Sequence, residues 1–502
     1  MFFLTENFGG LLFDSWLGLI ELADVLLLAL LVLPFIVYFA FRQHIKSEPS
    51  FTNKFRTLAF VSAFLLFTAS QFFAIYGMYK WFKQHTDHID VIEILRYTYF
   101  INFDTGNTKQ LYQLNGFLVH VACDIYMELS TPGYSLELDD IQKRKIDKYL
   151  DLQTSDFQLS DTLNLNNRSK NVVFVIVESL NAEVIGLKVN GNEVTPTINK
   201  LITDSTTFYS TNVTPQIKLG NSGDGQLIYN TGLLPLNNVI VSTRVGNSNK
   251  YPSLFESLGR VDNRTILPDN GIVWSQMIMQ KAFGADSIYI DEDYLALTYK
   301  FGLDASLFRF ATSKLDELKV PFTLQIVTGS MHIPFLDGEE YRHLFESATY
   351  DINVRNYYAS THYFDKELGG FIDTLKAKGL WDNTILVLAS DHDQNISLAD
   401  QSSAKEHCNP IVFIVANSGY GGTIKHSVGQ VDVFPTILHL CGHKPELDYV
   451  GVGTSMLEGR TGVYDMWTGE VVGTINDSIA ADIRQSHEVN ELIIRGNYFG
   501  VK

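Results

Sequence analysis

Residues 171–178 read Asn-Val-Val-Phe-Val-Ile-Val-Glu, "NVVFVIVE", an unbroken apolar run closed by one carboxylate. A strand with one wet face would alternate polar and apolar side chains. This run does not, so it belongs inside a sheet covered on both faces, as parallel sheets are. Similar runs follow at "RTILP" (264–268), "PFTLQIVT" (321–328), "NTILVLAS" (383–390) and "PIVFIVAN" (410–417). Helical patterns lie around and between them: "TPTINKLITDS", "YPSLFESLG", "DASLFRFATSKLDEL" and the long "NVRNYYASTHYFDKELGGFIDTLKAKG". Strands alternating with helices predict an α/β fold, a mostly parallel sheet with helices on both faces, over residues 171–502.

The N-terminal side has a different texture. "VLLLALLVLPFIVYFAF" (25–41) carries no charge, and "TLAFVSAFLLFTASQFFAIYGMY" (57–79) has Gln71 as its one strongly polar side chain. A bilayer core takes ~20 mostly apolar helical residues, so residues 1–83 are expected to be a membrane anchor with two transmembrane helices, about 17–41 and 57–79. The loop between them bears Arg42, Lys46, Lys54 and Arg56 against Glu48. Short basic loops stay cytoplasmic. Everything after Lys80 is therefore expected outside the cytoplasm of a cell membrane protein. Residues 84–170 are expected to be juxtamembrane amphipathic helices followed, over 131–170, by a polar linker with room for one short helix.

The formal net charge of −18 excludes a nucleic-acid partner, whose phosphates would be repelled. With three cysteines in 502 residues no disulfide framework is implied. Oligomeric state is not legible.

Polar residues just past the strand ends carry the chemistry. Glu178 closes the first strand, Asp269 follows the second, His332 the third, and Asp391 with His392 the fourth. In open α/β sheets, ligands bind beyond the carboxyl ends of strands. Each residue alone could simply cap the next helix. Together, Glu178, Asp391 and His392 make two hard oxygen ligands and an imidazole, suited to Mn²⁺, with Mg²⁺ and Zn²⁺ as alternatives. The loop "GNSGDG" (220–225) sets one hydroxyl, Ser222, among turn-forming residues at the start of a helix ending at Gly232. A solvated turn is its ordinary reading. Beside a metal, Ser222 becomes a candidate nucleophile and a fourth metal ligand, with the helix N-terminus facing an anion. Gly223 and Gly225 are expected to let a phosphate approach the backbone.

The ordered segments "VVFVIVESLNAEVIG", "TPTINKL", "GNSGDGQLIYNTGLLPL", "IVTGSMHIPF", "HYFDKELGGFIDTLKAKGLWDNTILVLASDHD" and "QVDVFPTIL" resemble the sulfatase-like branch of the alkaline phosphatase superfamily. They are most similar to lipoteichoic acid synthase-type phosphoglycerol transferases. The resemblance covers about residues 171–442. It implies one divalent cation, Mn²⁺ first, held by Glu178, Asp391, His392 and the nucleophile Ser222. It also implies that His332 contacts the substrate phosphate or protonates the leaving group, and that Asp269 and Trp274 line the substrate pocket. Ser222 stands where lipoteichoic acid synthases usually have Thr; Leu267 and Gln276 stand where the family pocket has His and Arg. His407 is a further substrate-side candidate, by similarity to related phosphoethanolamine transferases; a surface histidine is its ordinary reading. Ser222 lacks the Cys/Ser-x-Pro-x-Arg surroundings of formylglycine sulfatases. The expected function is membrane-anchored transfer of a phosphoglycerol or similar head group from a lipid or cell-envelope phosphodiester. The alternatives are a phosphodiesterase or sulfuric ester hydrolase of the same fold, and a catalytically idle membrane binding protein.

Overall fold

The computed structural model describes residues 135–501 except for short segments, chiefly 156–162, 395–408 and 445–450, together with scattered helical positions between 61 and 80. The span expected at 17–41 lies outside the described residues. So does most of the one at 57–79, whose described positions, Val61, Leu65, Phe72 and Tyr76 among them, are helical. Among the described residues no helix is long and apolar enough to cross a membrane. Residues 1–132 and 133–502 form two units.

The second unit is built on a main sheet of nine strands. In chain order they are β1 (Asn171–Val177), β2 (Phe208–Thr214), β3 (Asp262–Ile266), β4 (Ser287–Tyr289), β5 (Phe322–Val327), β6 (Thr384–Ser390), β7 (Ile411–Ala416), β8 (Gly422–Ile424) and β9 (Val428–Gly429). Across the sheet the order is β8-β2-β7-β6-β1-β5-β3-β4, with β9 also paired to β2. β1 sits centrally between β5 and β6, parallel to both, with Phe174 opposite Gln325 and Val387. All seven of its residues are buried. Val172, Phe174 and Ile176 enter one core cluster, and Val173, Val175 and Val177 the other. Each such side chain contributes about 1.5–3 kcal/mol through burial, which explains the absence of a polar stripe.

The sheet departs from parallel at β7, which runs antiparallel to both neighbours, β6 and β2. β6 and β7 are consecutive strands, and an antiparallel pair needs no crossover helix. On one face lie α2 (Asn221–Thr231), α6 (Val433–Leu440) and α7 (Asp477–Arg495); on the other, α4 (Leu303–Lys314) and α5 (Ile352–Ala377). The polar stretch expected as linker contains a sixteen-residue helix, α1 (Asp140–Ser155), preceding β1. Its Ile146 and Tyr149, three apart and so on one helical face, are buried in the first core cluster with Val489 and Ile493 of α7. The charged residues that look like linker composition are its outer face. A last labelled helix, α3 (Gln276–Ala282), follows β3.

Candidate metal and phosphoryl-transfer site

The parallel ladder continues one step beyond the strands. Thr328 N–H donates to Ile176 O and Asp391 N–H to Val177 O, both at 3.0 Å. These two bonds bring the residues after β5 and β6 against the end of β1. Glu178 follows β1 directly, and its N–H donates to Thr328 Oγ1 at 3.0 Å. Ser179 then takes a positive φ of 50° and turns the chain away.

The Ser222 loop is built around Asp224. Its Oδ2 accepts the Gly220 N–H at 2.8 Å, tying the turn back onto the first turn of α2. Burial pushes the Asp224 carboxyl up to about 7, while the N–H groups of Gly220, Lys218 and Leu219 oppose that rise. Asn221 (φ 38°) makes the bend and Ser222 follows, half-buried, in the first helical turn. Its hydroxyl donates to Glu178 Oε2 at 3.3 Å and lies 3.2 Å from His392 Nε2. His392 Nε2 is 3.5 Å from Glu178 Oε1 and 3.6 Å from Asp391 Oδ2. The structure thus brings Ser222, Glu178, Asp391 and His392 together.

The glycines serve a purpose other than the expected one. A Cβ on Gly225 would lie 2.5 Å from the Asp391 carbonyl oxygen, and one on Gly223 would lie 3.0 Å from Trp274 Cβ. Both are buried, so they admit neighbouring protein, not phosphate. The same contact places Trp274, itself at φ 57°, beside the Ser222 turn.

The donor set suits a divalent cation. One ligand atom from each of Glu178, Asp391 and His392 falls within 4.8 Å of the others. Asp391 Oδ1 accepts the N–H groups of Ser179 (2.9 Å) and His392 (2.8 Å), but its buried Oδ2 has no hydrogen-bond partner. A buried carboxylate oxygen left bare is costly unless a cation neutralises it. His392 Nδ1–H donates to Asp393 O at 3.0 Å, since a carbonyl can only accept, and this aims Nε2 into the cluster. Burial disfavours a charged His392, yet Asp391 and Glu178 outweigh it and raise its pKa. The proton so held on Nε2 is what a metal would replace.

Among the residues expected at the substrate pocket, Asp269 accepts the Gly271 N–H at 2.7 Å and the Gln276 side-chain N–H at 3.0 Å. Burial, with Asp291 adding to it, pushes its carboxyl up to about 6 against the pull of nearby His332. His332 is exposed on the segment after β5, and its Nδ1–H donates to Ile333 O at 2.6 Å, which leaves Nε2 out of that bond. Leu267 is fully buried in the core, and His407 lies outside the described residues. Sequence reasoning missed Ser179. Its hydroxyl donates to Glu178 Oε1 at 2.8 Å and sits 3.3 Å from His392 Nδ1, while Tyr357 OH donates to its carbonyl at 2.8 Å. Its place directly after Glu178 was the available signal.

The sulfatase family profile matches residues 170–443, more than half of the chain. The chain belongs to the sulfatase family. Lipoteichoic acid synthase 2 of Bacillus subtilis is 31% identical over 309 residues, covering 57% of this chain and 47% of the relative. Lipoteichoic acid synthase of Staphylococcus aureus is 28% identical over 347 residues, covering 65% and 53%. This sulfatase-family chain spans about half the length of the curated relatives it matches. A solved lipoteichoic acid synthase from Listeria monocytogenes shares the fold, with a TM-score of 0.57 at 20% identity over 68% of this chain and 96% of that one.

Proposed function

We propose that the chain is a membrane-anchored, metal-dependent phosphotransferase that moves a phosphoglycerol or similar head group from a lipid donor through Ser222. The observation that carries this reading is the Ser222 hydroxyl at a helix start, within 3.3 Å of Glu178 Oε2 and 3.2 Å of His392 Nε2. The similarity to lipoteichoic acid synthases supports a phosphodiester substrate. Glu178, Asp391 and His392 would hold one divalent cation, Mn²⁺ first, which when bound neutralises charge and lowers the pKa of the Ser222 hydroxyl.

Glu178 Oε2 accepts the Ser222 hydroxyl hydrogen. Ser222 Oγ bonds to phosphorus as the bond to the lipid alcohol breaks, and His332 Nε2 gives the departing oxygen its proton. The start of α2, at Asn221 and Ser222, turns the helix's positive end toward the phosphoryl oxygens. An acceptor hydroxyl then gives its proton to His332, attacks phosphorus and releases Ser222, whose oxygen takes its proton back from Glu178. Asp269 and Trp274 line the head-group side, and His407 is proposed on the same side. The apolar stretches of residues 1–83, with their basic loop, keep the domain at the outer face of the cell membrane, where the donor lipid resides.

Mass spectrometry of the Ser222 peptide after incubation with membrane lipids tests this. A phospho-head-group mass on Ser222 is expected, absent in Ser222→Ala, together with loss of at least about 10³-fold in turnover. Full turnover by Ser222→Ala would sink the covalent route.

A further inference from the structure

Beneath the site runs a chain of buried side-chain amides that none of the roles above uses. Gln280 Nε2 donates to Gln226 Oε1 at 2.9 Å, Gln226 Nε2 to Gln276 Oε1 at 3.0 Å, and Gln276 Nε2 to Asp269 Oδ2 at 3.0 Å. At the far end Gln280 Oε1 accepts from Thr265 Oγ1 (3.0 Å) on β3 and from Gln325 Nε2 (2.9 Å) on β5. Gln226, Gln276, Gln280, Thr265 and Gln325 are all 3% exposed or less. The direction of every link follows from its last member. An ionised carboxylate only accepts, so Gln276 must turn its N–H₂ toward Asp269, and each amide behind it must turn the same way. Head-to-tail amides polarise one another in a low-dielectric interior, so the row aims its positive end at Asp269. Gln226 lies one turn after Ser222 on α2, so the row also ties Asp269 to the nucleophile helix.

We propose that Gln276, Gln226 and Gln280 are positioning residues: a polarised relay that keeps Asp269 ionised, and at a set distance from Ser222, as the acceptor for a hydrogen-bond donor of the substrate head group. This substrate role rests on the function proposed above. The groups bearing on Asp269 are Asp291, His332 and Tyr294, together with the Gly271 N–H and Gln276. Burial and Asp291 favour its neutral form, and the relay opposes them. A head group offering a hydroxyl or ammonium donor suits such an acceptor; an added anion does not.

The test is a ¹³C NMR titration of the full chain labelled at aspartate carboxyl carbons, with Asp269→Asn assigning the signal. Gln276→Leu is expected to raise the Asp269 midpoint by about one pH unit, the worth of a hydrogen bond to a charged group. Gln226→Leu, Gln280→Leu and the near-isosteric Thr265→Val, none of which touches Asp269, should raise it by smaller steps that fade with distance. If the three remote variants fold with the wild-type melting temperature and leave the midpoint unmoved, the relay is refuted. Should the leucine variants misfold, Thr265→Val alone decides the matter. With the lipid donor, the remote variants should raise KM several-fold more than they lower kcat; equal losses in both would also count against the relay. The NMR arm reads the relay whether or not the chain turns over a lipid, so its failure is distinct from failure of the proposed function.

Discussion

At the scale of single residues, Gly225 links the Ser222 helix to the proposed metal ligands. Only a hydrogen fits where a Cβ would press to 2.5 Å from the Asp391 carbonyl oxygen, and that obstacle is backbone, not a side chain that could swing aside. Gly225→Ala should therefore separate α2 from the residue that presents the bare Oδ2. Calorimetric titration with Mn²⁺ is expected to show at least tenfold weaker binding in this variant than in wild type, about 1.4 kcal/mol, and none in Asp391→Asn. Undiminished binding by Asp391→Asn would remove the metal from this site. Glu178, Asp391 and His392 were legible because each lies within two residues of the end of an apolar strand, where chemistry gathers in an open α/β sheet. Ser179 was not, because its importance lies in a positive φ and in bonds to residues more than two hundred positions away.

At the scale of elements, β1, β5, β6 and β7 were readable since every residue of each is buried, whereas β3, "DNRTI", showed only its apolar end and was read two residues late, at 264–268. β2, "FYSTNVT", was not readable. It alternates buried and half-buried positions, and its polar side chains are satisfied by partners distant in sequence, as when Asn212 Nδ2 donates to Lys425 O at 3.0 Å. The stretch holding helix α1 was read as a polar linker with room for one short helix because only one narrow stripe of it is apolar. It is joined to the rest by the Leu136 N–H donating to Arg495 O at 2.8 Å, by Lys145 paired to Glu488 at 2.7 Å, and by Tyr498 OH donating to Asp147. The exposed ion pair contributes little; the stripe decides. Ile146→Ala, at a fully buried position, should cost about 2–5 kcal/mol in denaturant unfolding. A linker residue would show no change.

At the scale of the whole molecule, both faces of the sheet are sealed, and the acidic chain therefore keeps carboxyls where water cannot reach. Asp304, at the start of α4, is fully buried, and burial together with Asp337 pushes its pKa from 3.8 to about 7, against the N–H groups of Gly329 and Ser330. A carboxyl whose folded pKa is raised binds its proton more tightly in the folded state. Its contribution is full below about pH 4 and is lost as pH rises toward 7. Asp304→Asn keeps an acceptor for the Gly329 N–H, 2.9 Å away in the wild type, and removes the charge. It should stabilise the protein at pH 8 by on the order of 2 kcal/mol, and flatten the pH 4–7 part of the stability profile. A variant less stable than wild type at pH 8 would mean that Asp304 is needed as a carboxylate.

The sequence by itself determined the sheet's central strands, the helices on both of its faces and the polar residues just past four of its strand ends. Hydrophobic periodicity and strand ends are local, and a local pattern survives being read without neighbours. Tertiary structure alone decided the antiparallel turn of β7, the docking of α1, the close approaches that Gly223 and Gly225 serve, and the amide row from Gln280 to Asp269. Each of these depends on which distant segments meet, and a glutamine in a helix looks the same in the chain whether it faces water or another amide.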